Sequence, residues 1–446
     1  MSKSLKRAMS ILLVALFAVA LFAGCGADKG NDNSEKDTSP ATSQKSGDSG
    51  KTAETGKGKV TISYWNGFTG PDREPLEELV KKFNDSGNVE VVMDIMSWET
   101  LYQKLATALS ANQGPDIFAC NTERIGTYAK SGAIVPVDDI YNGGLDMGVI
   151  PEGLAENLSY DGKIYGVPAN FATLMLYYNK DLFVDAGLDP EKPPKNWDEL
   201  KEMALKLTKE SGGKVEQYGF GIATKETIPM WPILIWANGG DFIDTSTMKS
   251  VFNSPETVEA VQTWADLIIN NHISPPVLTG AEVDKLFETQ KCAMYMCGPW
   301  AVGGFKSAGI NFGVAPVPAG PAKEVTLGTS VSMYLTKDSK NKEAVYEFFK
   351  YWNSKETQVE FSLATGFPPA RTDLLDDPKL KENPYVVAFS SVANKSQFYL
   401  QKLTNFGKID TDVIVPAMES ILLGQSSVKE ALDKAAAEMD KMLQEQ

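Results

Sequence analysis

The chain has 446 residues, with 43 Lys and Arg against 58 Asp and Glu, a formal net charge of −15 and a single histidine. That acidity argues against nucleic acid and anionic lipid surfaces as partners, and one histidine, His272, cannot supply a histidine metal cluster. The length beyond the leader is too great for one ordinary core and natural for two domains.

The chain opens with Lys3, Lys6 and Arg7, an apolar run from Ile11 to Phe22 and the small pair Ala23-Gly24. A basic start, a short apolar stretch and small residues before the cut describe a secretory signal peptide over 1–24. About a dozen apolar residues fall short of the roughly 20 that a spanning helix needs. Leu21-Phe22-Ala23-Gly24-Cys25 resembles the bacterial lipobox, with Phe22 where that pattern carries Leu, so Cys25 is the expected lipid attachment point. Loss of Lys3, Lys6 and Arg7 takes the charge from −15 to −18. From Gly26 to Lys59 there is no Val, Ile, Leu, Met, Phe, Trp or Tyr. Such a stretch cannot bury enough apolar surface to order itself. Residues 25–59 therefore read as a lipidated cysteine and a disordered tether, with a root-mean-square span of roughly 30 Å.

The body begins with an alternating strand, Lys59 to Trp65, a Gly/Pro loop from Asn66 to Pro71, and an amphipathic helix through Leu76, Leu79, Val80 and Phe83. A strand at Val89 to Ile95, a helix from Trp98 to about Ala111, a short strand at Asp116 to Ala119 and a helix from about Thr122 to Lys130 follow. Alternation at this spacing predicts an α/β domain with a mainly parallel sheet. Tyr160 to Tyr178 is strand-rich, and helices are expected at Trp197 to Glu210, Pro229 to Ala237, Pro255 to Asn270 and Ala281 to Thr289. Strands at Cys292 to Cys297, Asn311 to Val317 and Ser330 to Leu335, then helices at Lys342 to Asn353 and Val428 to Leu443, complete the order. Two α/β lobes fit, with the chain crossing between them more than once. Cys292 and Cys297 would lie roughly 16 Å apart along a strand, too far for a disulfide. With Cys120 they read as small buried hydrophobes.

Six pieces stand in a fixed order: Tyr64-Trp65-Asn66 with Gly70, Gly114-Pro115-Asp116-Ile117, Tyr128 to Gly132, Tyr177 to Leu182, Pro194 to Leu200, and Gly298-Pro299-Trp300. Together they resemble the family 1 solute-binding proteins of bacterial ABC importers, which include maltose-binding and glycerol-3-phosphate-binding members. The resemblance runs from about Val60 to Leu443. It implies a two-lobed periplasmic-binding-protein-like α/β fold, with a hinge and a ligand cleft between the lobes. The N-terminal lobe would be 60–170 plus 328–373, and the C-terminal lobe 173–326 plus 376–446.

The resemblance also assigns a site. Glu123-Arg124 is similar to an acid–arginine pair that hydrogen-bonds sugar hydroxyls; a carboxylate accepts hydroxyl protons and an arginine fork donates to oxygens. Glu226 and Trp231 match a sugar-binding acid and a tryptophan five residues on. Trp300 matches a ring-stacking tryptophan, and aromatic faces suit the apolar face of a pyranose. Trp65 matches a cleft-lining tryptophan, and Asn66 and Asn170 complete the implied set. Trp98, Trp197, Trp264 and Trp352 lie in phase with apolar helix neighbours and read as core. Departures put maltose itself in doubt. Cys120 stands where a further cleft tryptophan would be, Tyr399 or Phe406 lies nearest another stacking position, and Phe68-Thr69-Gly70 lacks an acid and a lysine found there in the maltose binder.

The implied function is a lipid-anchored, extracytoplasmic receptor that passes an oligosaccharide to an ABC permease. It would be a monomer without cofactor, metal or catalytic residue. One alternative is a receptor for glycerol-3-phosphate or a related phosphorylated polyol, using Arg371 and helix N-terminal amides. The other is a surface glycoside hydrolase, which needs two carboxyls about 5–10 Å apart; no serine elbow, histidine cluster or phosphate loop marks an enzyme.

Overall fold

The structure is a computed structural model that describes residues 58–225, 230–401 and 403–444. The leader, Cys25, nearly all of the tether and Glu226 lie outside the described residues.

Strand β1, Val60–Asn66, buries Ile62, Tyr64 and Asn66 on one face, as its alternation requires. Helix α1, Arg73–Ser86, turns Leu76, Leu79, Val80 and Phe83 onto the sheet. Strand β2, Val89–Ile95, follows, and then helix α2, Trp98–Ser110, whose N-cap Ser97 accepts from the Thr100 amide. Strand β3 is Ile117–Asn121. The strands β4 (Gly166–Pro168), β5 (Ala172–Thr173) and β6 (Met175–Asn179) come in quick succession. Helices α3, Trp231–Ala237, and α4, Gly280–Glu288, precede β7 (Met294–Cys297) and β8 (Phe312–Ala315). The chain then returns through β9 (Thr326–Thr329) and β10 (Val331–Leu335).

The larger sheet has the order β2-β1-β3-β10-β4. Strands β2 and β3 flank β1 in parallel, with Tyr64 opposite both Met93 and Ile117. Strand β10 runs antiparallel to β3 and β4. The sheet is therefore mixed rather than mainly parallel: its first three strands join through helical crossovers, whereas β4 leaves the sheet and β10 re-enters it. A second sheet, β7-β6-β8, is antiparallel throughout. Cys120, Cys292 and Cys297 are buried free thiols.

Apolar side chains gather around the two sheets separately. One core contains Ile62, Tyr64, Phe348 and Trp352; the other contains Tyr177, Phe220, Trp264 and Tyr295. The two passages between the sheets lie side by side. Strand β5 pairs antiparallel with β9, setting Thr173 opposite Gly328 and Ala172 opposite Thr329. Asn170, next to this pair, has its side-chain oxygen 2.9 Å from the Val331 amide, while its carbonyl accepts from Ser330 Oγ at 2.6 Å.

Candidate functional site

A cavity of about 650 Å3 lies where the carboxyl ends of β1 and β3 face β5, β7, α4 and the 399–419 segment. This size is within the roughly 300–1,000 Å3 usual for small-ligand clefts, and strand carboxyl ends are where open α/β sheets hold ligands.

The wall from the larger sheet starts at the end of β3. Thr122 fastens the chain there, its amide and hydroxyl both donating to the Ser330 carbonyl at 3.0 and 2.9 Å. A single 3-10 turn, Thr122–Arg124, then brings Glu123 and Arg124 to the cavity. Glu123 is 5% exposed and its Oε2 has no protein partner. Burial pushes its carboxyl up to about 7, against the pull of Arg124. The Arg124 guanidinium lies 3.9 Å from the Tyr102 ring centre and 5.3 Å from that of Phe406. Tyr102 in turn stacks with Trp98 at 6.1 Å, and Trp98 meets Phe68 edge-on at 5.6 Å. Trp98 is held flat because residue 67 is glycine: a Cβ there would come within 2.2 Å of the ring. Phe68, Trp98, Tyr102, Arg124 and Phe406 thus form one continuous stack along the cavity.

The opposite wall is built on the smaller sheet. A capping box between Thr279 and Glu282 starts α4 and sets Asp284 one turn in. Asp284 Oδ1 accepts from the Tyr295 hydroxyl, and burial lifts the Asp284 carboxyl to about 6. A second pair repeats the device, with the Tyr399 hydroxyl 2.9 Å from Asp410 Oδ1 and the Asp410 carboxyl raised by burial. Lys225 pairs with Glu419 at 2.9 Å. Asp72, 8% exposed, is also raised to about 6 by burial. Among the described lining residues the cations are Arg124 and Lys225, against the carboxyls of Asp72, Glu99, Glu123, Asp284, Asp410 and Glu419.

Trp300 lines the cavity, packs against both cores and lies 6.3 Å from the Phe367 ring. Its ring folds back over Gly298, where a Cβ would come within 1.9 Å of it. Gly298→Ala should therefore displace the ring and cost about 1–3 kcal/mol of stability by overpacking, to be read as a lower melting temperature.

Of the sequence-predicted residues, the cavity brings together Glu123, Arg124, Asn170 and Trp300. Three others lie elsewhere. Trp65 occupies the face of β1 opposite Tyr64 and packs on the core beneath α2, with Lys104 Nζ 3.8 Å from its ring centre. Trp231 is 2% exposed, because α3 is apolar on every face and buries all seven of its residues. Asn66 is fully buried and shapes the turn after β1, its Oδ1 accepting from the Phe68 amide at 3.2 Å. Glu226 lies outside the described residues. Trp98, read as core, does pack on the cores flanking β1, and its half-buried ring also lines the cavity from the first turn of α2. Trp197, Trp264 and Trp352 are buried. Arg371 forks onto both oxygens of Asp373, donates to the Asn353 carbonyl and is away from the cavity. His272 caps the helix Pro255–Asn271 in a left-handed conformation and meets Glu210 at 2.6 Å.

The family model for bacterial extracellular solute-binding proteins matches residues 69–359. The sn-glycerol-3-phosphate-binding periplasmic protein of Rhizobium meliloti (strain 1021) is 28% identical over 84% of this chain and 91% of its own length. A maltotriose-binding protein of Pyrococcus abyssi is 27% identical over 80% and 76% respectively. The structure of an ABC transporter solute-binding protein from Thermotoga lettingae, bound with alpha-D-tagatose, superposes with a TM-score of 0.80 at 25% identity, covering 86% of this chain and all of that one. Sequence and architecture agree: the chain belongs to the bacterial extracellular solute-binding protein family, whose members work outside the cytoplasm and bind solutes rather than transform them.

Proposed function

We propose that this protein is the capture subunit of an ABC importer and takes an oligosaccharide into the cavity between two lobes. The lobes are 60–170 plus 328–373 and 173–326 plus 376–446, and the β5–β9 pair is the hinge between them. The observation that carries the reading is the pairing of a run of touching aromatic rings with a buried carboxyl oxygen, Glu123 Oε2, that lacks a protein donor. Aromatic faces suit the C–H faces of sugar rings, and unpaired carboxyl oxygens suit hydroxyl donors. Trp300 and the Phe68–Trp98–Tyr102 wall receive the rings, Glu123, Asp284 and Asp410 accept hydroxyl protons, and Arg124 donates to ring or hydroxyl oxygens. Specificity follows from closure, because a polar group left unpaired in a closed cleft costs about 1–3 kcal/mol.

A phosphorylated polyol, as the name of the Rhizobium relative would suggest, fits less well. Six carboxyls against two cations in the described lining repel a phosphate, and one of those cations is already paired with Glu419. The test is a thermal-shift and calorimetric screen of residues 58–446 against malto-, manno-, xylo- and cello-oligosaccharides of two to five rings, with glycerol-3-phosphate beside them. A micromolar sugar and a silent glycerol-3-phosphate are expected; the reverse result would replace this reading with a phosphate receptor.

The receptor is tethered by lipid on Cys25 through the 26–59 segment. Cys25→Ser should shift the protein from the membrane fraction to the medium, read by fractionation and blotting. Retention on the membrane would refute the anchor.

A further inference from the structure

We propose that the Glu123 carboxyl is a proton-controlled latch: protonated, it lets residues 403–410 close over the end of β3, and ionised, it holds the cleft open until a ligand donor pairs it. The proposal rests on the two cores being lobes that separate.

The contact at this point joins the segment after β3 to the 403–410 segment, which packs on the core around the smaller sheet. Thr127 Oγ1 donates to the Thr404 carbonyl at 2.8 Å. Phe406, part of the core around the smaller sheet, lies 5.3 Å from the Arg124 guanidinium. The chain passes so near that a Cβ at Gly407 would come within 3.0 Å of Arg124 Nη1. Glu123, next to Arg124, is buried with Oε2 unpartnered and lines the cavity. An ionised carboxylate in that position has lost water while its Oε2 has gained no donor, which is costly; a protonated one is far less so.

The groups that face it do not relieve the cost. Arg124 and Cys120 come from its own segment, Tyr102 from α2, Tyr334 from β10 and Asp410 from the C-terminal segment. Its own backbone amide and Arg124 favour the carboxylate, whereas Asp410 opposes it, and burial outweighs all three. The sign follows. With the contact made, burial holds the group near 7, above its ordinary 4.5; opening to water moves it back toward that ordinary value. The closed form binds the proton more tightly, so closure is favoured at low pH and disfavoured as pH rises from 4.5 to 7, with no further change above. A ligand hydroxyl donating to Oε2 removes the penalty, which ties closure at neutral pH to an occupied cleft.

The test uses the unliganded protein. Spin labels at Glu90→Cys in β2 and Gln262→Cys in the helix Pro255–Asn271 of the 58–446 body sit on exposed positions, and Cys120, Cys292 and Cys297 are buried. Pulsed electron resonance at pH 5, 6, 7 and 8 should show the short-distance population falling, with the closed-to-open ratio dropping about tenfold or more between pH 5 and 7. Glu123→Gln should lose the response between pH 6 and 8, leaving only what the raised Asp72, Asp284 and Asp410 carboxyls supply at lower pH. His272→Gln should keep the wild-type response, since this exposed histidine lies away from the cleft. A wild-type distribution independent of pH, an undiminished response between pH 6 and 8 in Glu123→Gln, or one abolished in His272→Gln would each overturn the latch; should Glu123→Gln not fold, the wild-type and His272→Gln distances still decide. Because no ligand is present, this outcome is separate from whether an oligosaccharide is the cargo.

Discussion

Trp300→Ala should weaken binding of the captured sugar by roughly five- to a hundredfold, the 1–3 kcal/mol expected for a central stacking aromatic. The ring is the one cavity-lining tryptophan that packs on both cores, so it meets ligand and both walls together. Its removal should also lower the melting temperature. The two effects separate in Trp300→Phe, which restores an apolar face over Gly298 and should recover stability more fully than affinity. Calorimetry on the sugar found by the screen reads the first effect and thermal melts the second. Unchanged affinity in Trp300→Ala would move the stacking face to Phe68, Trp98 and Tyr102.

The empty protein should be most stable near pH 5 and lose on the order of 5 kcal/mol between pH 5 and 8. Burial holds Glu123 near 7 and Asp72 and Asp284 near 6, all above their ordinary values of 4.5 and 3.8. A carboxyl with a raised folded value binds its proton more tightly when folded than when unfolded. Stability is therefore greatest while it is protonated and falls as pH rises between its unfolded and folded values. Carboxyls shifted the other way, such as Asp116 held down by Ser63, Ser339 and Asn341, withdraw their contribution only in more acid solution. Denaturant titrations at each pH test this. A stability that rises from pH 5 to 8 would mean the three carboxyls are paired or hydrated in solution. Saturating sugar should flatten the slope, because its hydroxyls supply the missing donors.

Much of the architecture was legible in the chain. The apolar periods of α1, α2 and the helix Val428–Leu443 mark their buried faces, and the alternation in β1 marks its own. These signals are local, because a helix or strand face repeats within one element. The order of the six motifs carried the family, and with it Glu123, Arg124, Asn170 and Trp300 in the cavity. The parallel-sheet expectation failed because strand direction in β4 and β10 depends on where the chain leaves a sheet and where it returns.

The site was decided less locally. Trp98 shares the phase of Leu101, Leu105 and Leu109, and periodicity alone cannot separate a ring resting on the core from one projecting past the sheet edge. Trp231 could have been read as core from the unbroken apolar run Trp231 to Ala237. No pattern within the sequence joins Tyr295 to Asp284, Tyr399 to Asp410, or Arg124 to Phe406. The chain by itself determined its elements, their apolar faces and its family, because these rest on neighbours a few residues apart. Tertiary structure alone decided which rings and carboxyls share one cavity and which carboxyls lose their water there, because desolvation depends on every segment that packs against a group.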